Sequence, residues 1–235
     1  MIPVNARFSY APVFPVAEED LRQYLHDPIT AIPPAIASLL PAIGIALVPY
    51  LERQTPKGAV SVTEDKPAEA RLVLSANVLA DDYATLLFTV KDEQVADYHY
   101  FFYDELAGLL LRNLPAEAEN EWNRLLREEL SAEVHGEVDD RSWHAKQKLL
   151  RKPMAARKDG PPFREYSRDS FRDTMTLYLH GICCDIDVEA GPRQLPSRYM
   201  RKRLDAFKTL FPPPEGHAVF PEDLPKVDPR TVALP

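Results

Sequence analysis

The sequence predicts an α+β protein: an N-terminal antiparallel sheet of four or five strands over residues 43–103, packed on a helical C-terminal half over 104–211, with a proline-rich tail over 212–235. Strand-like runs come first and helical periodicities follow, which argues against alternating βαβ units. The breaks between the strand-like runs are short, as hairpin connections are, and parallel pairing needs longer crossovers. With only eight glycines and no Gly-rich phosphate loop, a nucleotide-cradling fold is disfavoured.

From Met1 to Val16 apolar residues alternate with Pro and Asn, which predicts an extended segment over the core. Glu18 to Leu25 reads as a short helix, its acidic first turn favoured by the helix dipole, and Asp27-Pro28 ends it. Ala35 to Leu40 reads as a buried helical turn. Four strand-like runs follow, Ile43–Glu52, Ala59–Thr63, Arg71–Leu79 and Ala84–Val90, separated by polar or turn-forming residues. Val95 to Tyr103 is dense in aromatics and reads as a fifth strand, because aromatics suit a pleated, half-buried surface. Asp104 is then the N-cap of a helix to Leu114.

From Glu117 a helical pattern runs to Lys152, with Trp122, Leu126, Leu130, Val134 and Val138 at four-residue spacing, and Gly136 and Asp139-Asp140 divide it. Pro153 stops it, since the residue before proline is pushed out of the α region. Phe163 to Ile186 carries the clearest amphipathic pattern, with Phe171, Met175, Tyr178, Leu179, Ile182 and Ile186 on one face. Gly191-Pro192 ends that region, and Pro196 opens a last helix on Met200, Leu204, Phe207 and Phe211. The seven prolines after it predict an extended or disordered tail. Residues 1–211 are expected to share one core.

Several classes are disfavoured. The uncharged stretch from Pro28 to Leu51 is long enough for a bilayer but holds five prolines, each removing a backbone donor, so no membrane span is expected. The N-terminus shows no basic flank, apolar core and small-residue cleavage pattern, so no secretory leader is expected. Cys183 and Cys184 are adjacent and cannot bridge to each other without strain. Together these point to a reducing, cytoplasmic setting. HExxH, CxxC, GxSxG and EF-hand patterns are absent, and neither a cofactor nor a metal is expected.

Net charge is −8, unevenly spread: residues 1–140 carry 10 basic and 24 acidic side chains, residues 141–235 carry 18 and 12. On the helix from Phe163, the residues Asp169, Asp173, Thr176, His180, Cys184 and Asp187 fall in one sector opposite the apolar face. His180, Cys184 and Asp173 are the candidate catalytic set of a hydrolase, against the simpler reading of a solvated polar face. An acidic ridge, Glu129, Glu133, Glu137 and Asp140 with His144 beyond it, reads as solvated, with a Glu137–Arg141 pair.

Two basic clusters, Lys146, Lys148, Arg151, Lys152, Arg157 and Lys158, then Arg193, Arg198, Arg201, Lys202 and Arg203, could follow a phosphate backbone. In that reading Arg198, Arg201, Lys202, Lys146 and Arg151 bind nucleic acid, with Tyr199 or Trp143 stacking on a base. The leading expectation is a non-catalytic interaction or adaptor protein that holds a protein partner through its polarised surface and proline-rich tail. A hydrolase and a nucleic-acid binder are the alternatives.

Overall fold

The computed structural model describes residues 1–55, 58–151, 159–184 and 192–224, and its architecture is α+β. The principal sheet has five strands in the order β1-β2-β3-β8-β7: β1 (Ile2–Pro3), β2 (Phe8–Pro12), β3 (Ala42–Val48), β7 (Ser75–Leu79) and β8 (Tyr83–Thr89). The sheet is mixed, not antiparallel. β3 pairs in parallel with β2 (Phe8↔Ile43 to Pro12↔Leu47) and with β8 (Ala42↔Tyr83 to Val48↔Thr89). The expectation failed because residues 50–73 leave this sheet, so that β8 comes to lie parallel to β3, and because the extended N-terminal segment is itself a sheet strand. It returns to β3 through the helical crossover that a parallel pair requires.

That crossover comprises α1 (Glu18–Leu21), a π-helical turn (Arg22–His26), α2 (Asp27–Thr30) and α3 (Pro34–Leu39). Pro28 does not end the helix as expected. It lies where the π-helical turn passes directly into α2, His26 and Asp27 both helical, and the widened turn accommodates the missing N–H. β4 (Tyr50–Arg53), β5 (Val60–Thr63) and β6 (Leu72–Val73) form a separate three-stranded sheet inside the β3–β8 connection, with β4 antiparallel to both neighbours.

The aromatic run over 95–103 is helical: α4 spans Val95–Leu110. Strand propensity lost to packing. Tyr98, Phe102 and Leu106, one turn apart, are buried together with Phe8, Phe88 and Leu86 in the core. Asp104 is consequently no N-cap; it lies buried in mid-helix, bound bidentately by Arg172 at 2.9 and 2.6 Å and by Arg141 at 2.8 Å.

Among the described residues the remaining α-helices are α5 (Ala116–Ser131), α6 (Asp140–Leu150), α7 (Pro161–Cys183) and α8 (Ser197–Leu210). α5 and α6 part where the sequence suggests. Gly136 has φ +86, and any side chain there would collide with the backbone of Gln194. Asp139 caps α6 in a reciprocal box with Ser142.

Two members of the acidic ridge, Glu129 and Glu137, and two of the clustered basic residues, Lys146 and Arg203, are interior. Arg203 is fully buried between Glu129 (2.6 Å) and Glu137 (2.7 Å), and Lys146 (2 % exposed) reaches Glu137 at 3.1 Å. Tyr166 donates to Glu137 at 2.6 Å. The solvated reading is therefore corrected at Glu129 and Glu137, where the helices converge on the charges and neutralise them pairwise, while Glu133, Asp140 and His144 are exposed. The Glu137–Arg141 pair does not form, and Arg141 turns to Asp104.

After α8 the chain folds back along it. Tyr178 donates to the Phe211 carbonyl, Val219 is buried, Arg201 lies 4.0 Å over the Phe220 ring and pairs with Glu222, and Lys208 pairs with Asp223. Of the tail expected over 212–235, residues 225–235 lie outside the described residues. No helix among the described residues is long and apolar enough to cross a membrane.

Candidate functional site

Packing α7 along α4 brings the end of α7 to the first turns of α4 and to the crossover helices. Cys183 is the last residue of α7, and Cys184 is its extended C-cap. Opposite them stand His99 and Tyr103, one turn apart on α4. The His99 Nδ1 atom lies 3.1 Å from the Cys184 sulfur. Its Nε2 lies 2.8 Å from the Gln23 carbonyl oxygen, which can only accept, so Nε2 carries the proton and Nδ1 offers a lone pair to the thiol. The ligand atoms of His99, Cys183 and Cys184 all fall within 4.8 Å of one another. The His180 ring is 6.4 Å from that of His99 and 6.2 Å from that of Tyr103, centroid to centroid.

Each group is electrostatically conditioned. Hydrogen bonding from Cys184 brings the Cys183 thiol down to about 7, against the opposing effect of burial, with the Tyr103 hydroxyl adding to the lowering. Burial holds His99 below the ordinary histidine range, opposed by its bond to Gln23 and by Asp27. Burial and then the neighbouring His99 lower His180. Both imidazoles are therefore neutral at pH 7, with lone pairs available. The surroundings favour added positive charge, since Asp27 acts on both His99 and Cys183 and the carboxyl end of α7 points its dipole here.

Of the candidate catalytic set, His180 and Cys184 are on this cluster and Asp173 is not. Asp173 sits nearly three turns back along α7 and is buried, accepting from the Ser142 backbone N–H at 2.9 Å and lying 3.5 Å from Arg141. Burial pushes its carboxyl up to about 6, with Ser142 and Arg141 opposing. The sector holding Asp173, Thr176 and His180 is thus no solvated face, because α4 and α6 both cover α7. Asp187, its last member, lies outside the described residues.

The candidate phosphate contacts also separate. Lys146 is buried in the ionic cluster and is corrected as a surface contact, Arg201 pairs with Glu222 and Asp205, and Lys202 pairs with Glu128. Arg198 lies against the Tyr199 ring, and Arg151 is exposed. Lys152, Arg157 and Lys158 fall outside the described residues.

The residue that sequence reasoning missed is His99, 85 positions from its sulfur partner and inside the run read as a strand. In a helix, His99 and Tyr103 share a face, and this is the only sequence signal that could have found it. No family model, characterised protein or solved structure matches the chain.

Proposed function

We propose that the protein binds a thiophilic d10 metal ion, Zn(II) or Cu(I), through His99 Nδ1 and the thiolates of Cys183 and Cys184. The observation that carries this reading is the convergence of one nitrogen and two sulfur donors within 4.8 Å. Soft sulfur with imidazole is the donor set such ions select. The Nε2–H to Gln23 bond supports it, since a metal-bound histidine commonly donates its other N–H to a carbonyl. His180 is the neighbouring imidazole from which a fourth donor would come.

The same Cys–His contact resembles a nucleophile with its base, but the electrostatics argue otherwise. Reactive thiolates are favoured at helix N-termini and beside cations. These thiols stand at a helix C-terminus near Asp27, both of which favour a bound cation, and the lowering of Cys183 comes from hydrogen bonding with Cys184 and Tyr103 and from no neighbouring cation. The hydrolase reading also loses Asp173 as an orienting group. The nucleic-acid reading loses Lys146 to the interior, and the adaptor reading leans on a tail whose end lies outside the described residues. A reducing cytoplasm, which keeps both thiols reduced, suits the metal reading.

The test is titration of the reduced full chain with Co(II) and then Zn(II). Co(II) is expected to give a thiolate-to-cobalt charge-transfer band that Zn(II) abolishes, with release of protons from the thiols. C183S/C184S should give no band, and His99→Ala should weaken binding at least tenfold. Absence of the band and of proton release in the wild type, or a band unchanged in the double serine variant, would overturn the proposal.

A further inference from the structure

The second feature that asks for a ligand lies at the opposite end of α4, away from the sulfurs. Two cavities, of about 380 and 240 Å³, adjoin there and share Leu111, Arg112 and Arg168 as lining. The first is walled by Pro41, Tyr83 and Ala84, where β3 and β8 begin. The second is walled by Leu114, Trp122 and Phe171, between α5 and α7. Asp81 lines the first cavity and Glu119 the second, yet neither comes within ion-pair distance of a guanidinium. Among the described residues, Arg112 and Arg168 contact no carboxylate, whereas Arg124, Arg141, Arg172, Arg201 and Arg203 each do.

The charge of Arg112 has a structural reason, since it follows the carboxyl end of α4 and complements the helix dipole. Arg168 has none. It lies in mid-helix on α7, one turn from Arg164 and one turn from Arg172, a like-charged spacing that is unfavourable on a helix. Its neighbours also have partners of their own: Arg164 donates to the Asp159 carbonyl, and Arg172 holds Asp104. A guanidinium beside two like charges, with Asp169 as a weak neighbour and no ion pair among the described residues, has fork donors left for an anion.

We infer that Arg112 and Arg168 form an anion-binding rim for a small amphipathic ligand, a phosphate or carboxylate head carrying an apolar or aromatic body. The head sits across the two guanidiniums, whose planar forks suit a phosphate or carboxylate bidentately. The body enters one of the flanking cavities, whose volumes suit a single ring system against Leu114 and Phe171 or against Tyr83 and Pro41. Asp81 and Glu119 each line one cavity, whereas both guanidiniums line the two, which favours an anionic head at the shared lining. Nothing in this site depends on the thiols.

Isothermal titration of the full chain with 1-naphthyl phosphate, 1-naphthol and inorganic phosphate tests it. The ester should bind at least tenfold more tightly than either the neutral alcohol or inorganic phosphate. R112Q/R168Q, changing two exposed side chains and so expected to fold, should lose at least tenfold in affinity for the ester. Arg151→Gln, an exposed arginine lining neither cavity, should bind like the wild type. The inference is overturned if the ester fails to bind, if it binds no better than 1-naphthol, if the double variant binds it as well as the wild type does, or if Arg151→Gln weakens it equally.

Discussion

The buried ionic cluster around Arg203 and the thiol–imidazole cluster around His99 are both polar groups in an apolar interior, yet they are built on opposite terms. At Arg203 two cations meet two carboxylates, every strong charge has a partner within about 3 Å, and Tyr166 and Ser170 take up the remaining bonds. At His99 the donors converge on one another: two sulfurs and a nitrogen lone pair meet with no cation beside them among the described residues, in surroundings made negative by Asp27 and a helix end. A saturated cluster fixes how helices meet. An electron-rich one has room for a cation.

The comparison breaks hardest at Arg203. Replacing it with Met strands Glu129 and Glu137 in the interior with only Lys146 near them, and removing one partner of a buried pair costs about 3–5 kcal/mol. Urea denaturation of Arg203→Met should register a loss of that size. A loss under about 1 kcal/mol would mean that water reaches the carboxylates and that the cluster is not the closed structural unit described.

Acid separates the two regions more finely. Arg203 and then Lys146 draw the Glu137 carboxyl down to about 2 in spite of its burial, so its contribution is present above the ordinary glutamate value and is lost only as pH falls from about 4.5 toward 2. His99 and His180 are held below the ordinary histidine range by burial, so the unfolded chain takes up their protons first and stability falls as pH drops below about 6.5. Between pH 7 and pH 5 this loss has a ceiling of about 2 kcal/mol per histidine. Denaturation in the presence of chelator should follow that decline, and H99Q/H180Q should flatten it. A wild-type profile that stays flat to pH 5 would place both imidazoles in contact with solvent.

Much of the helical half was legible in the residues. Trp122, Leu126 and Val134 on one side, and Phe171, Met175 and Tyr178 on the other, are spaced for helices and are buried as helices. Two things were not legible, and both are non-local. Strand β2 carries Ser9 and Pro12 and is a strand because β3 lies beside it in parallel and β1 on its other edge. Helix α4 has a strand-like composition, and its helical state is decided by the fit of Tyr98 and Phe102 against Phe88. The site followed the same logic. Cys184 and His180 stand out on their own helix, but the nitrogen that completes the cluster comes from a helix read as a strand. Asp173, in the same sector as His180, was claimed by Ser142 and Arg141 of a helix whose approach the periodicity of α7 does not encode.

Asp173 provides the smallest and most discriminating effect. Its carboxyl is raised to about 6 by burial, above the ordinary aspartate value, so its sign is the reverse of the histidines'. As pH falls from 7, the folded state gains this proton before the unfolded state does, and stability rises. The relief is fully present below the unfolded value and is lost as pH rises through about 6. Over pH 7 to 5 it amounts to about 1 kcal/mol, partly offsetting the decline from His99 and His180. Asp173→Asn keeps an oxygen for the Ser142 N–H and removes the titration. Its denaturation profile should therefore fall more steeply on acidification than the wild type's, with the gap opening between pH 7 and 5. Parallel profiles would show that Asp173 titrates alike in the folded and unfolded chain, and that Arg141 and Ser142 compensate its burial in full.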